Sequence, residues 1–203
     1  MKQVFAGCTE PARSSIRFAF HDSAGYSSVT KPYGPASGGA DGSLLLNDDE
    51  IARTGNAPMP FARTQLKTQW EGFKDQNVTA ADFVQISSLI AVRSCGGPAY
   101  KMLVGREDDD NACPQGTLPA AFGQDSSYDV LVQLWAEKGI DERELAALMG
   151  AHTVSRAFAQ QSNGIPPPDV WNTAYDAAAF KLSLLGVSRA KIEGMADRSG
   201  LEL

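Results

Sequence analysis

The sequence predicts an all-α fold, and three observations carry the prediction. Apolar residues recur at three- and four-residue spacing along several windows, as on the buried face of a helix. Capping residues precede those windows, and stretches rich in Gly and Pro separate them. The 203 residues, 43% hydrophobic and 21% charged, are enough for one compact core.

Pro11 suits the first turn of a helix running to about His21 or Ser23. The stretch "AGYSSVTKPYGPASGG" that follows is expected as a loop. A helix begins near Ser43, and the next, about 60–74, sets Leu66, Trp70 and Phe73 on one stripe. "TAADFVQISSLIAV" opens on a Thr-x-x-Asp cap and buries Phe83, Ile86 and Ile90. From Ser94 to Asp125 the pattern breaks into loops, with room for one short hairpin. Tyr128 to Lys138 reads as a helix stopped by Gly139. "DERELAALMGAHTVSRA" has Asp141 and Glu144 in capping positions, and its stripe of Leu145, Leu148 and Met149 leads to His152. After "NGIPPPD" two short helices are expected, near 176–185 and 188–194.

A net charge of −6 argues against nucleic acid or an anionic membrane as partner. No apolar run approaches the roughly 18 residues that span a bilayer. "MKQVFAGC" has no hydrophobic leader segment, so a signal peptide is expected to be absent or already removed. Cys8, Cys95 and Cys113 form no CxxC pair, which argues against structural zinc. Cys95 and Cys113 flank one loop and could close a disulfide, leaving Cys8 over. With "NVT" at Asn77, a glycosylation acceptor pattern, this leans towards a secreted protein.

The chain has two histidines, His21 and His152, each at the end of an apolar helical stripe. The plainer reading of either one alone is a satisfied core histidine. Arg17 lies four residues before His21 and shares its helix face. A guanidinium there keeps the imidazole neutral, so it can act as a base, while the Arg stabilises a developing oxyanion. "GGADGS" offers Gly39, Asp41 and Ser43 at alternating positions, hard oxygen ligands to which Asp22 can add a second carboxylate for calcium. Two distant histidines exclude a multi-His metal site. Haem needs only one axial imidazole and leaves the other for chemistry.

In these residues the chain resembles the plant, fungal and bacterial haem peroxidase superfamily. "RFAFHDS" is similar to the distal signature, with Arg17, Phe20, His21 and Asp22 at the family's spacing, and "GGADGSLLL" to the stretch completing a distal calcium site. "GNA" places Asn56 as acceptor of the distal His N–H, and Asp82 and Arg106 match a buried ion pair. "TLPAAF", with Pro119, resembles the haem-edge loop, and "ELAALMGAHTVSRAF" the proximal signature with His152 as iron ligand. The similarity runs in order from about Cys8 to Tyr175.

The resemblance implies one domain holding haem b and calcium, with a distal lobe of about 1–120 and a proximal lobe of about 121–203. It implies reduction of hydrogen peroxide through a ferryl intermediate, and one-electron oxidation of small aromatic reductants such as phenols or dyes, by a monomer. Asp197, in "GMADRSG", takes the role of the carboxylate that accepts the His152 N–H. Phe20, where intracellular members carry Trp, favours the secreted fungal branch. The manganese ligands of that branch are replaced by Thr9, Arg13 and Phe158, and its surface Trp by Ala147. Of a second calcium site Thr153 survives, with Ile165 and Pro167 in place of other ligands. The chain is shorter than typical members, so a more open haem is expected. Peroxygenase-like oxygen transfer at an open haem and a non-catalytic bis-histidine haem protein are the alternatives; a haem-thiolate peroxygenase would use a cysteine, and "CP" at 113–114 is its only support.

Overall fold

The structure, a computed structural model, describes residues 2–29, 38–57, 59–118, 127–154 and 169–198. Helices dominate it. After a first turn, α1 (Lys2–Phe5), comes the distal helix α2 (Glu10–Ala24), with Pro11 in its opening turn as expected. Its inward residues, Ile16, Phe18 and Ala19 among them, are buried.

The helix expected from Ser43 is two short ones, α3 (Ser43–Leu46) and α4 (Asp48–Ile51). Asn47 divides them: its backbone is extended, and its side chain caps α4 by accepting from Glu50 N. A short 3-10 turn at Thr54–Asn56 precedes α5 (Pro60–Glu71). Leu66 and Trp70 are buried on α5, but Phe73 lies past its end at Gly72 and is 39% exposed.

The central helix is α6 (Ala80–Ser94), whose Thr79 side chain accepts from Asp82 N at 3.1 Å. Asp108, in a run expected as acidic surface loop, instead caps the same helix by accepting from Ala80 N and Ala81 N. α2 and α6 pack along their lengths, and Cys8–Cys95 ties the approach of one to the end of the other. This corrects the Cys95–Cys113 pairing: Cys113 is a free, buried thiol against Gly25 and Gly38.

The short strand β1 (Leu103–Val104) forms no local hairpin. It pairs antiparallel with β2 (Ala196–Asp197), near the other end of the chain. Between them lie α7 (Tyr128–Ala136), α8 (Glu142–Met149), α9 (Asp169–Leu182) and α10 (Arg189–Glu193). A full capping box between Asp141 and Glu144 starts α8, and α8 packs on α9.

Two buried clusters form the core. One lies between α2, α3, α5 and α6 around Phe18, Leu44, Leu66 and Phe83. The other joins the inner faces of α2 and α6 to α7, α8 and α9 around Ile16, Leu89, Trp135 and Leu148. Arg106 links the layers. Its guanidinium meets Asp82 at 2.7 Å and donates to the carbonyls of Leu103 and Ser183. The loop before α3 is fastened to the end of α9 by Ala40 N on Leu185 O at 2.9 Å. Gly39, at φ +127°, makes that approach possible, since a Cβ there would come 2.3 Å from the Leu185 oxygen.

Candidate functional site: two histidines and an arginine

α2 presents Arg17 and His21 on one face, as their spacing predicts. Arg17 is exposed, whereas His21 is buried at 9%. The ring is held from both ends. Asn56 Oδ1 lies 2.9 Å from Nδ1, and Arg17 Nε lies 3.4 Å from Nε2. An amide oxygen can only accept, so Nδ1 carries the proton. An Arg N–H can only donate, so it points at the Nε2 lone pair. The two contacts therefore specify one neutral tautomer with its basic nitrogen towards Arg17. Burial pushes the His21 pKa down to about 4, and the Arg17 charge adds to this; the Asn56 bond opposes it.

Asn56 is itself fixed, because its Nδ2 donates to Glu50 O at 2.8 Å. Glu50 is buried, and its carboxylate accepts Cys113 N at 2.8 Å. Phe20 stands beside His21, edge to ring, with centroids 5.6 Å apart.

His152 is reached by a different local route. Regular helix stops at Met149, and His152 lies on the 3-10 turn Gly150–Thr153 that continues it. The residue is exposed rather than inward-packed, and Met149, expected in the core stripe, is 48% exposed. Enough protein still surrounds the His152 ring to lower its pKa, with the Arg17 charge adding to the effect. The Arg17 charge thus lowers the pKa of both imidazoles.

The residues fit haem in the one respect the structure tests. His152 is exposed with its pKa lowered towards the neutral, ligating form, and His21 is a buried base with a guanidinium at its Nε2. Pro119 lies outside the described residues. Asp197 is on β2 with its carboxylate 54% exposed and 3.9 Å from Lys101 Nζ, which is not the buried setting expected of a partner to the His152 N–H.

The donors for a hard cation are gathered next to His21. Asp22 is fully buried and accepts main-chain N–H bonds from Gly42 and Leu44 at 3.2 Å each. Asp41 accepts Ser43 N at 3.0 Å, and the Gly39 carbonyl accepts Asp41 N. Burial, with the neighbouring carboxylates, pushes the Asp22 pKa well up; for Asp41 burial is the larger cause and the value is about 7. The Ser43 hydroxyl lies close enough to Asp41 to oppose that rise, yet is buried without a well-formed hydrogen bond among the described residues. Two neighbouring carboxylates and a hydroxyl without a well-formed hydrogen bond are hard oxygen donors of the kind calcium takes, so the donor set fits. Among the described residues no group of three or more His, Cys, Asp or Glu could hold a metal, so this site depends on hydroxyl and carbonyl oxygens. Thr153 lines a small cavity with Ile16, Val92, Gly97, Ala151 and Tyr175, while Ile165 and Pro167, the other positions of the second calcium site, lie outside the described residues.

Sequence reasoning missed Glu50 and the contact of Trp135 with Phe20. Glu50 works through its main-chain oxygen, which leaves no trace in residue type.

A profile of the peroxidase family matches residues 1–183. The chain belongs to this family, within the plant and fungal haem peroxidase superfamily. It is 34% identical over 152 residues to a probable chloroplastic L-ascorbate peroxidase of Oryza sativa subsp. japonica, covering 72% of this chain and 45% of that protein. It is 32% identical over 159 residues to a manganese peroxidase of Phlebia radiata, covering 76% and 43%, and 31% identical over 155 residues to a ligninase of Phanerodontia chrysosporium, covering 75% and 40%. The chain thus spans less than half the length of these three relatives. They come from both plant and fungal branches, so the match shows the family without sorting its branches. Among the described residues no helix is long and apolar enough to cross a membrane.

Proposed function

We propose that this chain is a haem-dependent peroxidase that reduces hydrogen peroxide and oxidises small aromatic reductants such as phenols or dyes. The observation that carries the proposal is the double hold on His21, Asn56 at Nδ1 and Arg17 at Nε2. His152 would hold the haem iron, and the haem would supply the redox centre that reacts with peroxide. His21 Nε2 would take a proton from peroxide and return it to the oxygen that leaves as water. Arg17 would stabilise the negative charge that builds on the departing oxygen as the O–O bond breaks. Asn56 keeps the proton on Nδ1, so Nε2 stays basic through the turnover.

Asp22, Asp41, Ser43 and the Gly39 carbonyl would hold calcium, anchoring the residue next to His21. The Cys8–Cys95 disulfide and the exposed sequon at Asn77 support export to an oxidising compartment.

The test is visible absorption of haem-loaded protein before and after one equivalent of hydrogen peroxide, in the wild type and in His21→Ala. The wild-type spectrum should change rapidly. The variant should keep its haem and react about 10²–10⁴-fold more slowly. Equal rates in the two proteins would remove His21 from the mechanism, and a low-spin spectrum indifferent to peroxide would mean that both histidines ligate iron.

A further inference from the structure

Trp135 is the one buried residue of α7, at 2% exposure. Its indole packs on Phe20 with centroids 5.3 Å apart and planes tilted by 41°. Phe20 in turn meets His21 at 5.6 Å and 62°. Both separations are those of aromatic rings in contact. An unbroken aromatic path therefore leads from His21 to an indole on another helix.

The path is fastened at the far end of α7. Lys138 Nζ donates to Tyr26 O at 2.8 Å, and Ser28 N donates to Glu137 O at 3.2 Å. These bonds join the segment after α2 to the segment after α7, fixing the two rings relative to each other.

Indole gives up an electron more readily than phenyl or neutral imidazole, and the charge around it decides how readily. Trp70 is the other tryptophan whose side chain is described. It carries the Lys74 ammonium 5.4 Å from its ring centroid, a cation that opposes loss of an electron. Among the described residues the cation–ring contacts are at Trp70 and Phe180, not at Trp135.

We propose that Trp135 is an internal one-electron donor to the peroxide-oxidised centre, acting across Phe20. The proposal rests on the peroxidase reading. Hydrogen peroxide takes two electrons and two protons to give two molecules of water. The haem would supply one electron and Trp135 the other, the indole becoming a cation radical that keeps its N–H proton. Two phenols then each give one electron and one proton, the first restoring the indole and the second the haem, so that one peroxide and two phenols become two waters and two phenoxyl radicals.

The experiment uses haem-loaded protein, one equivalent of hydrogen peroxide, no reductant, and electron paramagnetic resonance of rapidly frozen samples. An organic radical signal should appear and narrow when the protein carries ring-deuterated tryptophan. It should be lost in Trp135→Phe and survive in a Trp70→Phe, Trp171→Phe chain, where Trp135 is the last indole. Repeated peroxide should also leave oxygen added to Trp135 in peptide mass spectra. If Trp135→Phe fails to load haem, the label and the double variant decide alone. A radical insensitive to the label, or absent from the double variant, overturns the proposal. A visible spectrum that changes with peroxide while no indole radical forms overturns this inference and leaves the peroxidase reading standing. A spectrum indifferent to peroxide removes both.

Discussion

His21 and Asn56 meet across 35 positions of sequence, and that single bond decides which imidazole nitrogen is basic. Asn56→Val removes the acceptor, so the ring is free to carry its proton on Nε2, where it is useless as a base. The rate constant for reaction with peroxide should fall about 10–100-fold, the usual cost of losing a partner that orients a working residue. The pH profile separates this from general damage. With a folded pKa of about 4, His21 is neutral above that value and protonated below it, so the wild-type rate is flat above and falls about tenfold per unit below. The Asn56 bond raises this pKa, so its loss should move the acid limb to lower pH while the plateau drops. Stopped-flow rates from about pH 3 to pH 8 check both, and an acid limb that moves upward in the variant would contradict the assignment. Arg17 and His21 were legible from their four-residue spacing alone. Asn56 was legible only through the family resemblance, and Glu50 not at all, because any residue has the carbonyl it uses. The exposed carboxylate of Asp197 shows the opposite case, a short motif assigned without the burial its role needs.

Helices and their caps were readable because each rests on local chemistry: Thr79 and Asp141 cap α6 and α8 as the spacing predicts. Pairings between distant elements were not readable. β1 found β2 rather than a local neighbour, and three cysteines allow pairings that spacing does not rank. Cys95 reached Cys8 because the end of α6 lies beside the start of α2, a fact of packing rather than of sequence distance. The consequence is measurable. The disulfide closes a loop with a sequence separation of 87, and constraining an unfolded loop of that length contributes about 4 kcal/mol. Cys8→Ser with Cys95→Ser, which leaves Cys113 no partner, should lose about that much in guanidinium unfolding monitored by circular dichroism. A loss under about 1 kcal/mol would mean that α2 and α6 are held together by apolar packing, with the bridge adding little.

At the scale of the whole molecule, the distal loop joins what lies far apart in the chain. Asp22 sits on α2 beside His21, Asp41 and Ser43 open α3, Asp109 N bonds Asp41 O, and Ala40 N bonds Leu185 O at the end of α9. All-α architecture was legible, since helical periodicity and caps are local. The two shared core clusters were not, because residues from both expected lobes mix within one of them. A calcium ion at Asp22, Asp41 and Ser43 would therefore brace more than the residue next to His21. Without it, the buried Asp22 and the half-buried Asp41 carboxylates lie near each other with main-chain donors as their described bonds, and the Ser43 hydroxyl has no well-formed one. Ion binding to the folded state alone stabilises it by about 2.7 kcal/mol at a hundredfold excess over the dissociation constant. For a chain of this size that is a rise of about 5–10 °C in Tm. Calorimetry of haem-loaded protein should show this fall on chelation with EDTA and its recovery with calcium. Magnesium should not restore it, because its strict octahedral shell suits two carboxylates, a hydroxyl and a carbonyl poorly. The same chelation should slow the reaction with peroxide, as the end of α2 that carries His21 loosens. A Tm indifferent to EDTA would show that the loop stands on its hydrogen bonds to α2 and α9 alone, with the carboxylates protonated in place of a bound cation.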